Sequence, residues 1–161
     1  MTPVGPAIVV HSLAQAVAAL EAAAQAGRPV LLLSAVDAGL SAGAGWWREM
    51  VAAARDSVPA AQAVVQAAAL LDCGDDAGAA QAALRAGVEA IVFSGPAEIV
   101  ERLADIARQR GCRVLSGRPG AVLDLGDDFF ASPDTVRRRV FAVLRGDSPE
   151  IFRSGCRKIT R

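Results

Sequence analysis

The 161-residue chain is 53% apolar and 21% charged, the composition of one soluble globular domain with a full hydrophobic core. Its 17 basic and 17 acidic residues cancel, so no global charge draws it to nucleic acid or to an anionic membrane. It shows no basic leader with a long apolar run behind it and no unbroken apolar stretch of ~18 residues, which predicts a cytoplasmic protein with no membrane partner. Cys73, Cys112 and Cys156 lack CxxC spacing and read as reduced thiols.

Short runs of Val, Ile and Leu alternate with Ala-rich stretches that are apolar at helical spacing, the signature of βαβ units on a parallel sheet. Ala7–His11 reads as the first strand. Ser12, with Gln15 three residues on, caps a helix that carries Leu13, Val17, Leu20 and Ala24 on one face and ends at Gly27. Val30–Ser34 is a second strand, continuous in Val and Leu because both sheet faces are covered. A loop of small residues, Ala35–Gly45, leads to a helix near Trp46–Arg55, with one of the two tryptophans expected inward and the other partly outward. Ala68–Leu71 is the third strand, and Asp75 or Asp76 caps a helix over Ala77–Ala86 that stops at Gly87. Ala90–Phe93 is the fourth. Gly95-Pro96 opens a helix with Ile99, Leu103 and Ile106 on one face, and Gly111 ends it before a fifth strand at Arg113–Leu115. Ala121–Leu125 is a sixth strand, at an edge. Ser132-Pro133 opens a last helix with Val136, Val140 and Val143 inward, Arg137, Arg138 and Arg139 mostly outward, and Gly146 after it. Residues 1–146 thus read as a single α/β domain, and 147–161 as a polar tail carrying Ile151 and Phe152, expected to pack on a neighbouring subunit.

Parallel sheets gather ligands at the carboxyl ends of their strands, where His11, Ser34, Asp72, Cys73, Ser94 and Ser116 all fall, with Gly74 beside them. Asp72 suits a general acid or base if partly buried, or an aspartate bonded to the N–H groups of its own turn. Cys73, at the start of a helix, suits a reactive thiol or a small packing residue. A zinc site built from His11, Asp72 and Cys73 lacks paired-ligand spacing, so no metal is expected, and Cys112 belongs at the opposite end of the sheet. Gly43 and Gly45 precede a helix but depart from a dinucleotide loop, because Arg48 stands where the third glycine belongs. Their N–H groups suit a phosphate, with Arg48 nearby, and nothing here implies a cofactor.

Several stretches are similar to the class II, metal-dependent ketose-bisphosphate aldolases, which are TIM barrels. SLAQAVAALEAAAQAGRPVLLLSA resembles the family's opening helix and second strand, and WWREMVAAARDSVP the helix before its third strand. LLDCGDDAGAAQAALRAGVEAIVFSGP resembles the stretch that holds Leu-Asp-His-Gly, a small helix and a strand ending in Asp-Gly-Ser. The resemblance covers roughly Ala7–Gly117. It implies that Asp72 stands for the proton-transferring aspartate and Ser34 for a substrate-holding serine, with Cys73 in the place of a zinc-binding histidine. The family's later ligands are a glutamate after the fifth strand and two more histidines. Here Val114-Leu115-Ser116-Gly117 offers no carboxylate, and His11 is the only histidine. A full barrel takes ~250 residues. The expectation is therefore a half TIM-barrel-like parallel sheet of five to six strands with alternating helices, in sequential order 1-2-3-4-5. A flavodoxin-like doubly wound sheet, in order 2-1-3-4-5, is the alternative. The expected function is a degenerate, non-catalytic aldolase-like domain that binds a small metabolite, phosphorylated or not, or serves as an assembly module. The alternative is a zinc-independent lyase or isomerase with Asp72 as acid/base and Cys73 as auxiliary thiol. Unpaired edges of a half-barrel invite pairing, so a homo-oligomer is expected.

Overall fold

In the computed structural model, described for residues 5–59 and 67–146, the apolar runs form β1 (Ala7–Val9), β2 (Val30–Leu33), β3 (Ala67–Asp72), β4 (Ala90–Val92), β5 (Arg113–Leu115) and β6 (Ala121–Asp124). The helices are α1 (Leu13–Ala26), α2 (Ala38–Ser41), α3 (Ala44–Ser57), α4 (Ala77–Ala86), α5 (Ala97–Arg110) and α6 (Pro133–Leu144). The caps follow from the residue chemistry. Ser12, Asp76 and Ser132 accept the N–H three residues on, and Gly27, Gly87 and Gly111 close α1, α4 and α5 in the left-handed conformation. Most expected strand ends move by one or two residues, and the helix expected near Trp46–Arg55 runs longer, over Ala44–Ser57. β1 stops at Val9, before His11, and the expected loop 35–45 contains the single turn α2, whose start is Asp37 at φ +56°.

The strands run in the order β5-β4-β3-β2-β1-β6, every neighbouring pair parallel. The first five are sequential, as a barrel wall requires, and the doubly wound order is not adopted. β6 is an edge strand, as expected, but it lies beside β1 and not beside β5.

That placement dictates curvature. β5 and β6 stand at opposite edges, yet only residues 116–120 join them. Laid flat, five spacings of ~4.8 Å would hold the edges ~24 Å apart, before the return to the amino end is counted. The Cα steps from Leu115 to Ala121 span at most ~21 Å. The sheet must curl until its edges approach.

Alternation of side chains then builds two apolar layers. Ile8, Leu20, Leu32, Trp47, Leu71 and Phe93 lie between the sheet and its helices, while Val9, Leu31, Leu33, Leu70, Ala90 and Val92 pack on the other face. Full burial of each Leu, Ile or Val contributes ~1.5–3 kcal/mol, enough that the wall is held mainly by these layers. Trp47 is buried and Trp46 is 41% exposed, as expected of the pair. α6 lies along α1 and buries Val136, Val140 and Leu144, with Val143 only half-buried. Arg137 turns outward to Asp134 and Glu21. The expectations for Ile151, Phe152 and Cys156 lie outside the described residues. Among the described residues no helix is long and apolar enough to cross a membrane.

Candidate functional site

The site begins where β2 and β3 end. Ser34 N–H donates to Leu70 O at 3.1 Å, and Ser34 Oγ donates to Ala35 O at 2.9 Å and accepts the Asp72 N–H at 2.9 Å. Asp72 follows the apolar run Ala69–Leu71, so its side chain is carried into the interior and is only 4% exposed. A carboxylate there needs partners on both oxygens. Oδ1 accepts from Gly74 N–H at 2.8 Å and Asp37 N–H at 3.4 Å, and Oδ2 faces Arg118 Nη1 at 2.5 Å. Arg118 Nη2 donates to Ser34 O at 2.7 Å. The midpoint of the short β5–β6 connection is thereby tied to the ends of β2 and β3. Gly74 turns at φ +55°, and a Cβ there would collide with the Asp37 carboxylate.

Cys73 faces the helix layer. It is 1% exposed, and Gly39 packs against its sulfur with no room for a side chain. Burial, then the charges of Asp72 and Asp76, push its thiol up to about 12. The group is a protonated packing residue at neutral pH.

His11 and Asp124 form a second pair, His11 Nε2 donating to Asp124 Oδ1 at 2.6 Å. Gly126 N–H donates to the same oxygen at 2.9 Å. Gln15, itself buried, holds the pair in place. Its Oε1 accepts His11 N–H at 2.8 Å, and its Nε2 donates to Leu125 O at 2.7 Å. Burial alone would raise the Asp124 carboxyl. The bonds from His11 and Gly126, with the charges of His11 and Arg118, outweigh it and hold the group below its usual value. Arg118 is thus close enough to act electrostatically on both pairs.

Of the residues expected from sequence, Ser34, Asp72 and Gly74 meet in one network, while His11 is paired with Asp124 beside it, within electrostatic reach of Arg118. Ser94 N–H donates to Gly74 O at 2.7 Å, while Ser116 follows the end of β5 and lines a separate cleft. Gly43 and Gly45 stand apart at the start of α3, where Arg48 reaches away to Ala86 O at 2.9 Å, the end of α4. Arg118 and Asp124 are parts of these networks that sequence reasoning missed, and Gln15, expected only in the helix cap, also braces the His11–Asp124 pair. Among the described residues no three His, Cys, Asp or Glu side chains gather as a metal would require.

No protein-family model matches the sequence, and no curated protein matches it. Among solved structures, the chain superposes on one described as a "putative fructose-1,6-biphosphate aldolase" from Coccidioides immitis. The TM-score is 0.54 at 22% identity, covering 69% of this chain and 40% of that one. The fold is aldolase-like. This chain matches less than half the length of that protein. Within the aldolase-like wall, β6 stands beside β1, where the last strand of a closed eight-strand barrel would stand.

Proposed function

We propose that this aldolase-like chain binds a small phosphorylated metabolite at the carboxyl rim of its sheet and does not perform metal-dependent aldol chemistry. The observation that carries the reading is the commitment of Asp72, whose two oxygens are taken by Arg118 and Gly74 N–H in a buried setting. A general base must present a free lone pair to the substrate proton, and Asp72 presents its lone pairs to the protein.

The donor set also does not fit zinc, which takes three or four ligands in tetrahedral geometry. Cys73 is buried with its thiol raised to about 12, His11 is turned to Asp124, and Asp72 to Arg118. The ligand side of the reading rests on Arg118 and His11. Two bonds leave Arg118 with further N–H donors of the fork that suits phosphate oxygens, and its side chain is 24% exposed beside the rim.

Calorimetric titration with fructose 1,6-bisphosphate, dihydroxyacetone phosphate and inorganic phosphate, alongside a cleavage assay with and without added zinc, tests this reading. The expected result is saturable binding of a phosphorylated probe, weakened in His11→Asn, with no cleavage. Turnover that disappears in a folded Asp72→Asn variant would overturn it in favour of a zinc-independent lyase or isomerase.

A further inference from the structure

Among the described residues β5 pairs only with β4 and stands at an edge of the curled sheet. Arg113 N–H donates to Glu89 O and Leu115 O accepts from Phe93 N–H, so the alternation of a parallel ladder turns the N–H and C=O of Val114 away from β4. Beside this edge opens a cleft of about 1120 Å³ whose part-exposed apolar lining is Ala68, Ala104, Val114 and Leu115, with exposed Arg108 and Arg113 on it. Glu89, which also lines it, is paired with Arg55 at 3.0 Å, and Arg108 faces Asp105. Arg113 has no acidic partner among the described residues. The cleft is therefore apolar with an uncompensated positive charge.

The loop after β6 has the opposite character. A 3₁₀ turn over Gly126–Asp128 presents Phe129 and Phe130, which are 50% and 97% exposed, their rings edge to face with centroids 5.2 Å apart. Asp127 beside them is exposed, while Asp128 is held by Arg139. A phenyl ring left almost wholly in water is strongly favoured to find an apolar partner surface.

We propose that the Asp127–Phe130 loop of one copy of this chain inserts into the β5 cleft of the next. Phe129 and Phe130 cover the apolar floor, Asp127 approaches Arg113, and the entering backbone meets the outward N–H and C=O of Val114. The occupant is a second copy because knob and cleft carry opposite charge and matching apolar surface. A two-fold pairing of β5 with β5 would instead set Arg113 against Arg113. The contact joins unlike surfaces: repeated head-to-tail it propagates into a ring or filament, and reciprocated about a two-fold axis it closes as a dimer. It goes beyond the ligand reading, since it uses none of His11, Asp72, Arg118 and Asp124.

Sedimentation velocity tests it on the full chain, on Phe130→Ser, on Arg113→Glu, and on an equal mixture of the two variants. Both positions are exposed, and circular dichroism checks the fold. The wild type is expected to associate between about 5 and about 200 µM, the regime of modest interfaces. Each variant alone is expected to associate at least about tenfold more weakly. The mixture should give a dimer and nothing larger, because Phe130→Ser keeps the cleft and Arg113→Glu keeps the knob, leaving one working contact. A wild type that stays monomeric, variants that associate like the wild type, or a mixture that stays monomeric would each overturn the proposal.

Discussion

Arg118 Nη1 faces Asp72 Oδ2 at 2.5 Å across 46 residues of chain, while the same guanidinium donates to Ser34 O at 2.7 Å. One planar fork thus joins two strand ends to the return between β5 and β6, a bridge a lysine point charge would not reproduce. Arg118→Met leaves a buried carboxylate without its counter-charge, and we expect a loss of about 3 kcal/mol in urea unfolding. Asp72→Asn in the same background should recover part of it, with a coupling of at least about 1 kcal/mol in the double-mutant cycle. Additive single effects would show that the two groups do not act as a pair.

Gly74 and Gly87 both sit at positive φ, but only Gly74 has a neighbour in the way. A Cβ at 74 meets the Asp37 carboxylate, whereas at 87 nothing lies within 4 Å. Gly87→Ala should therefore cost about 1 kcal/mol of backbone strain alone, and Gly74→Ala somewhat more, because the exposed Asp37 side chain must also swing aside. Equal losses in thermal unfolding would mean that the Asp37 contact relaxes freely.

Thiol chemistry gives a third check. Because burial and the nearby carboxylates push Cys73 up to about 12, its thiolate is scarce even in alkaline buffer. Alkylation of Cys73, followed by peptide mass mapping, should stay slow in the native protein up to about pH 9 and become rapid only in denaturant. Fast native labelling at Cys73 would contradict the packing described for it.

Acid should loosen the β1–β6 seam. The Asp124 carboxyl is lowered in the folded state from an ordinary value of 3.8, so its contribution to stability is present above that value. It is lost as pH falls through the lower folded value. Urea unfolding of wild type and Asp124→Asn should differ at pH 6, and the gap should close below about pH 4. A gap that widens on acidification would reverse the sign argued here.

Much of the wall was legible because its signals are local. The helix over Ala77–Ala86 matches its expected span, as its cap at Asp76 and stop at Gly87 lie within one short window. The convergence of Ser34, Asp72 and Gly74 was also readable from strand ends. Arg118 was not. It sits in Ser116-Gly117-Arg118-Pro119-Gly120, a stretch with no periodicity, and its partner is 46 residues away. Asp124 looked like an ordinary residue of an edge strand, since nothing in the sequence says that β6 returns to β1. The turn α2 was hidden for a similar reason. It starts from a left-handed Asp37, which ordinary propensity does not anticipate.

The seam between β1 and β6 also sets an order of events during synthesis. His11 and Asp124 are 113 residues apart, and α1 rests on α6. At ribosomal speeds of ~5–20 residues per second, β1 waits roughly 6 to 23 seconds with one edge bare before its partner has been made. Of the six strands β1 is the first to be made and the last to be enclosed, so over that interval its bare edge is open to pairing elsewhere.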